Sequence, residues 1–210
     1  MEDKKRLALG LFADMLGYPG DASSIQTLAG KALECAALLG GKAKDPLAAF
    51  SERLKAIGEG GGLEEIFTAT FDFREDCSPY AGCHIFGEGG PSRGGNDRRG
   101  VFMAGLQEQY RACGFPLRPG EELPDHLAVM LRFLSHPPGP HNRRAGESGD
   151  SGDFGDSGDF DDSDRGELVR DCIVPAAGKM LKAINAGGRG ENPYAFLLQA
   201  LLAALTDGEV

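Results

Sequence analysis

The chain has 210 residues, 41% of them hydrophobic and 8% aromatic with no Trp, which is enough for one packed domain. A formal net charge of −10 argues against a nucleic-acid surface, because phosphate repels an acidic partner. No apolar run approaches the roughly 18 residues of a membrane span, and five widely spaced cysteines, an odd number, argue for reduced thiols rather than a disulfide framework.

The acidity is local. Eight of the 32 acids lie between Glu147 and Asp164, where there is no base, and the remaining 24 face 22 bases. The folded body is therefore expected to be near neutral.

Residues 4–17 place Ala8, Leu11, Phe12, Met15 and Leu16 on one helical face, with Gly17 and Pro19 as the stop. Basic residues followed by apolar ones resemble a signal peptide in outline. Asp14 interrupts the apolar run, however, and no small-residue cleavage site follows. The segment is expected to be the first helix of a cytoplasmic protein. Residues 22–39 and 45–57 are Ala- and Leu-rich helices, the second opened by Asp45 as N-cap and Pro46 as first helical residue. Leu63, Ile66, Phe67 and Thr70 repeat at helical spacing over 63–72.

The stretch CSPYAGCH (77–84) offers Cys77, Cys83 and His84 as three metal ligands. Zinc sites favour gaps of two to four residues and a second ligand pair downstream, so buried thiols are the plainer reading. Residues 87–100, GEGGPSRGGNDRRG, lack GxxxxGK[ST] and a preceding strand, so they read as a mobile loop with a basic tip at Arg93, Arg98 and Arg99. Paired arginines there read as solvated charge. Residues 98–113 bring Phe102, Leu106, Tyr110 and Cys113 into register, with Gly114 as the stop.

In ELPDHLAVMLRF (122–133), Leu123, Leu127, Met130, Leu131 and Leu134 fall at helical spacing, and Ala128, Val129 and Phe133 fill much of the remainder. A helix apolar almost all round is expected to be buried. Asp125 is placed to cap this helix as Pro124 enters it, which would put His126 in the first turn. The helix dipole there favours a neutral imidazole, able both to donate and to accept. No GxSxG elbow accompanies these residues, so a hydrolytic triad is not indicated.

Residues 143–166 form an acidic insert with a tandem SGDFGD and SGDFDD, expected to be disordered because Ser, Gly and Asp bury too little apolar surface. Asp161, Ser163 and Gly166 loosely match an EF-hand start, but the twelfth position is Cys172 rather than Glu. Residues 167–185 are helical in pattern, with Pro175 expected to break or kink them. Asn192 caps the last helix and Pro193 starts it. Tyr194, Leu197, Leu198, Leu201, Leu202 and Leu205 make its stripe. No segment shows strand alternation. The expectation is an all-α, single-domain helical bundle over 1–210 with about seven to nine helices, no catalytic residues, no metal and no cofactor.

FDFREDCSPY (71–80), RRG (98–100), QEQYRACGF (107–115), ELPDHLAVMLRFLS (122–135) and NPYAFLLQALL (192–202), in that order, resemble the NarJ-type nitrate reductase assembly chaperones, within the TorD/DmsD group of redox-enzyme maturation proteins. The resemblance covers roughly residues 5–205 apart from the acidic insert. It implies a cytoplasmic chaperone, monomeric or dimeric, without catalytic turnover. Such a protein binds the apo catalytic subunit of a molybdoenzyme through its N-terminal leader or leader remnant. It assists insertion of the molybdenum cofactor before membrane targeting or export, with nitrate reductase as the nearest client and nitrate assimilation as the setting. The family's peptide-binding motif carries over onto Glu122, Pro124, Asp125 and His126, and an aromatic-hydrophobic cluster onto Tyr80, Ile85 and Phe86. The chain departs at Gly82, where related chaperones often carry an aromatic. On this reading the helix after His126 builds the wall of a groove and Asp125-His126 its polar lip. Leader arginines would then pair with Asp125 and with Glu121 or Glu122. Two other classes compete: a metal- or thiol-dependent protein using Cys77, Cys83 and His84, and a structural subunit of an oxidoreductase complex.

Overall fold

The computed structural model describes residues 3–20, 25–58, 62–87, 95–115, 117, 120, 122–137, 162–187 and 192–206. Their helices are α1 (Asp3–Leu16), α2 (Ile25–Leu39), α3 (Lys44–Ile57), α4 (Leu63–Phe67), α5 (Ala81–Phe86), α6 (Gly95–Ala112), α7 (Leu127–Ser135), α8 (Asp162–Glu167), α9 (Val174–Ala186) and α10 (Pro193–Thr206). A π-helical turn over Thr68–Asp72 prolongs α4, and another over Leu168–Ile173 joins α8 to α9 without a break. Counted as continuous runs the helices are nine, and the described residues contain no strand, so the expected all-α bundle is what the chain forms.

Helix α7 lies at the centre. Seven of its residues are buried, from Leu127 to Leu134 with only Arg132 excepted, and α1 packs along it. The all-round apolar pattern is therefore consumed by the protein's own core. The expected role of α7 as the wall of an open groove is not what the fold provides. Helices α2 and α3 pack together beside α1, α10 packs on α3 and α9, and α5 is held between α6 and α9. Phe67, Phe71, Phe50 and Tyr194 form an aromatic cluster in which α4, its π turn, α3 and α10 meet, with ring centroids 4.9–6.2 Å apart.

Several boundaries differ from expectation for identifiable reasons. Asp45 does not cap α3. A 3-10 turn over Gly41–Ala43 runs directly into the helix, so Pro46 falls in the first turn, where its missing N–H has no partner to lose. Pro175 causes no break. The preceding π turn pairs the Val174 N–H with Val169, five residues back, and this shift accommodates a residue that has no donor of its own. Helix α6 starts at Gly95, so 95–100 are helical rather than loop. The insert also ends earlier than expected. Residues 162–167 are helical, and Arg165 is buried with its Nη1 donating to the carbonyls of Leu134 and His136 at the end of α7. Residues 88–94 of the expected loop and 143–161 of the expected insert lie outside the described residues.

Asn192 caps α10 as anticipated. Its Oδ1 accepts from Tyr194 N at 2.9 Å, and its Nδ2 donates to Thr70 Oγ1 at 2.8 Å. Thr70 in turn donates to Ile66 O at 2.5 Å, so one buried amide ties the start of α10 to the π turn. Asn192→Ala is expected to lower unfolding free energy by about 1–2 kcal/mol, read as a shift in urea midpoint at unchanged slope. A loss below about 0.3 kcal/mol would mean that the cap contributes nothing.

Candidate functional site

Tyr80 and His126 are extended residues in an otherwise helical region, and they pair antiparallel. Ala81 N donates to Asp125 O at 2.8 Å and Leu127 N to Pro79 O at 2.9 Å. Each of these donors is the first residue of a helix, α5 or α7. The first N–H groups of a helix have no intrahelical partner, so the pairing satisfies two of them at once and fixes both helix starts side by side.

The next donors of both helices are met by side chains. His126 is the N-cap of α7, with Nδ1 accepting from Ala128 N at 3.1 Å. Asp125 therefore does not cap its own helix. Its Oδ2 accepts from Gly82 N at 3.2 Å, and so it caps α5, placing a carboxylate at that helix's positive end.

The other partner of Asp125 is Arg99 of α6. Nε donates to Oδ2 at 2.7 Å and Nη2 to Oδ1 at 3.1 Å, a two-pronged pairing. The Asp125 side chain is 0% exposed and that of Arg99 24%. The guanidinium carbon lies 5.3 Å from the centroid of the Tyr80 ring. Arg99 is thus no solvated charge, and its own pKa is pushed up by the bond to Asp125. The expectation that Asp125 stands on an open lip for a leader arginine does not match this geometry, since both carboxylate oxygens are already engaged from within.

Space at this junction is set by Gly82. A Cβ there would fall 2.6 Å from Asp125 Oδ2 and 2.8 Å from Arg99 Cγ. An aromatic at this position would not fit beside the Arg99–Asp125 pair.

Around the ion pair the remaining polar groups are ordered. Tyr110 OH donates to Pro124 O at 2.8 Å, which fixes the turn before His126. The Tyr80 hydroxyl donates to Glu122 Oε2 at 2.8 Å, and its ring stands edge-on to His126 at 5.2 Å. Burial, then the bond to Glu122, pushes the Tyr80 pKa up to about 12. Burial lowers that of His126, against the opposing pull of Glu122, Asp125 and Asp72. Among the expected site residues, Tyr80, Glu122, Pro124, Asp125 and His126 therefore come together. Ile85 packs against the core and Phe86 against Phe102 of α6, ring centroids 5.4 Å apart. Glu121 lies outside the described residues.

The Cys-His stretch is drawn into other contacts. Cys77 is buried with Sγ 3.7 Å from Met180 O, and His84 Nε2 bonds to Ser78 O at 2.7 Å. Lys179 Nζ donates to His84 O at 2.5 Å. Among the described residues no group of three or more His, Cys, Asp and Glu is placed to hold a metal ion. No disulfide joins the five cysteines, and burial pushes the Cys35 thiol up to about 12 and that of Cys172 up to about 11, well away from a reactive thiolate.

Arg99, Gly82 and Tyr110 hold the site together and were not singled out for it in the sequence. The available signal was an Arg-Arg-Gly near a helix start and a glycine between Tyr80 and the Cys83-His84 pair.

Fold and site define an all-helical protein in which buried polar groups hold helices together around a two-residue pairing. No described helix is long and apolar enough to cross a membrane. A family profile described as Nitrate reductase delta subunit matches residues 39–146, just over half of the 210, and the chain belongs to that family, the NarJ-type maturation chaperones. No match was found among curated proteins.

Two outcomes are expected here. Arg99→Ala leaves a buried carboxylate without its counter-charge and is expected to lower stability by about 3–5 kcal/mol, while Arg99→Ala/Asp125→Asn recovers much of the loss. Equal instability of the two variants would show that the ion pair is not the source. The second concerns pH. Capping requires a lone pair on His126 Nδ1, and the folded-state pKa lies below the ordinary 6.5. The unfolded chain therefore takes up a proton first. Stability is full above about pH 6.5 and falls as pH drops through the folded value. His126→Asn caps without titrating and should flatten that fall in urea midpoint. A residual slope remains from His84, whose pKa burial also lowers.

Proposed function

We propose that this protein is a client-specific assembly chaperone, acting in the cytoplasm on the apo catalytic subunit of a nitrate reductase-like molybdoenzyme. It engages the N-terminal leader or leader remnant and keeps the subunit open for molybdenum cofactor insertion before membrane targeting or export. The observation that carries this reading is family membership over 39–146, a range that includes Tyr80, Glu122, Pro124, Asp125 and His126. The surface around the pairing supports it. Glu122 and Asp72 are exposed carboxylates whose charges both act on His126. Their sequence neighbours Phe73 and Leu123 are 82% and 45% exposed, so large apolar side chains stand beside both carboxylates. Carboxylates interleaved with bare apolar groups suit a peptide that is itself basic and apolar.

Affinity capture of tagged protein from its host under reducing conditions, read by mass spectrometry, tests this. Wild type is expected to bring down a cofactor-free molybdoenzyme large subunit. Glu122→Lys, which removes the acceptor of the Tyr80 hydroxyl but none of the bonds between Arg99 and Asp125, is expected to deplete it by roughly tenfold or more. Absence of any such subunit from the wild-type capture would refute the chaperone reading.

A further inference from the structure

We propose that Asp125, Gly82 and Tyr80 form a guanidinium receptor, that Arg99 fills it from within the chain, and that a client arginine enters by exchanging with Arg99 and releasing the first turns of α6. The exchange rests on the chaperone reading above; the receptor does not.

The receptor is built rather than incidental. Asp125 presents both oxygens to the two parallel N–H bonds of Arg99, at 2.7 and 3.1 Å. Its orientation is held by Gly82 N, and the Tyr80 ring lies against the guanidinium. A flat fork with delocalised charge satisfies all of these contacts, whereas an ammonium matches the charge and not the fork. The carboxylate is fully enclosed with both oxygens taken by Arg99, so it cannot be left without a cation. Any client group that uses Asp125 must therefore replace Arg99, guanidinium for guanidinium.

Helix α6 is constructed to permit this. It carries Gly95, Gly100 and Gly105, and a Cβ at either of the last two would meet nothing within 4 Å. These glycines weaken the helix without being required by packing. Val101 is 74% exposed, and the contacts this part of α6 makes include those of Arg99 with Asp125 and of Phe102 with Phe86 of α5. Leu106 and Tyr110, beyond Gly105, are buried and anchor the rest of the helix.

Two measurements on the full-length protein test the proposal. In the first, Arg99→Ala is melted with ethylguanidinium or ethylammonium chloride at equal ionic strength. Ethylguanidinium alone is expected to raise the melting temperature. Neither salt should do so for wild type or for Arg99→Ala/Asp125→Asn. If Arg99→Ala does not fold, its refolding yield with each salt gives the same readout. Equal rescue by both cations, or by neither, overturns the receptor. In the second, amide hydrogen exchange is followed with a synthetic N-terminal peptide of the captured large subunit, and with its arginine-to-lysine version. The arginine peptide is expected to speed exchange in the first turns of α6 on the order of tenfold. It should bind several-fold more weakly to Gly100→Ala/Gly105→Ala, in which α6 is stiffened. Binding that leaves α6 exchange unchanged, or that is indifferent to arginine against lysine, overturns the exchange. Rescue by ethylguanidinium with no peptide binding at all removes the client reading, and the exchange with it, while the receptor stands.

Discussion

Two backbone hydrogen bonds between 79–81 and 125–127 organise this protein out of proportion to their number. A helix can begin only where its leading N–H groups find acceptors, and α5 and α7 begin where each is supplied by the extended residues that lead into the other. The arrangement is mutual: neither helix start is complete without the partner strand. Once it is set, the Asp125 side chain sits at the mouth of α5, the His126 ring sits over the mouth of α7, and Arg99 draws α6 onto both. The central packing of α1 on α7 follows from where α7 is made to start.

The cost of this economy is burial of charge. A carboxylate removed from water retains its charge only with a matched cation and a full set of donors, and Asp125 has three. Such a pair adds little net stability over an apolar substitute, but it is demanding about geometry and so fixes how three helices meet. The surface just outside it is of a different kind, with Glu122, Asp72, Phe73 and Leu123 left to water.

What the sequence discloses depends on the range of the interaction. Helical periodicity is local, so α1, α7 and α10 were legible as apolar stripes, and Asn192-Pro193 as a helix start. The π turns were not legible, because they arise from a proline and a threonine whose effects depend on neighbours five residues back and on Asn192 far along the chain. The Pro-Asp-His triplet was rightly read as the polar point of an apolar segment. Its assignment was displaced by one residue, since the choice between Asp125 and His126 as cap of α7 is made by Gly82 and Arg99, which lie 43 and 26 residues away. The burial of α7 was legible from its all-round apolar pattern; the groove-wall role came from the resemblance alone, and the contact with α1 takes up that face.

The empty Cβ position of Gly82 carries a consequence for how this junction tolerates substitution. A side chain at 82 would collide with Asp125 and Arg99 together, so the three positions are sterically coupled. An aromatic ring there would require the arginine to be relocated, the acid shortened or the α5–α6 junction opened. Residues 82, 99 and 125 thus form one steric unit, in which a change at a single position leaves either a clash or an unpaired charge in the interior.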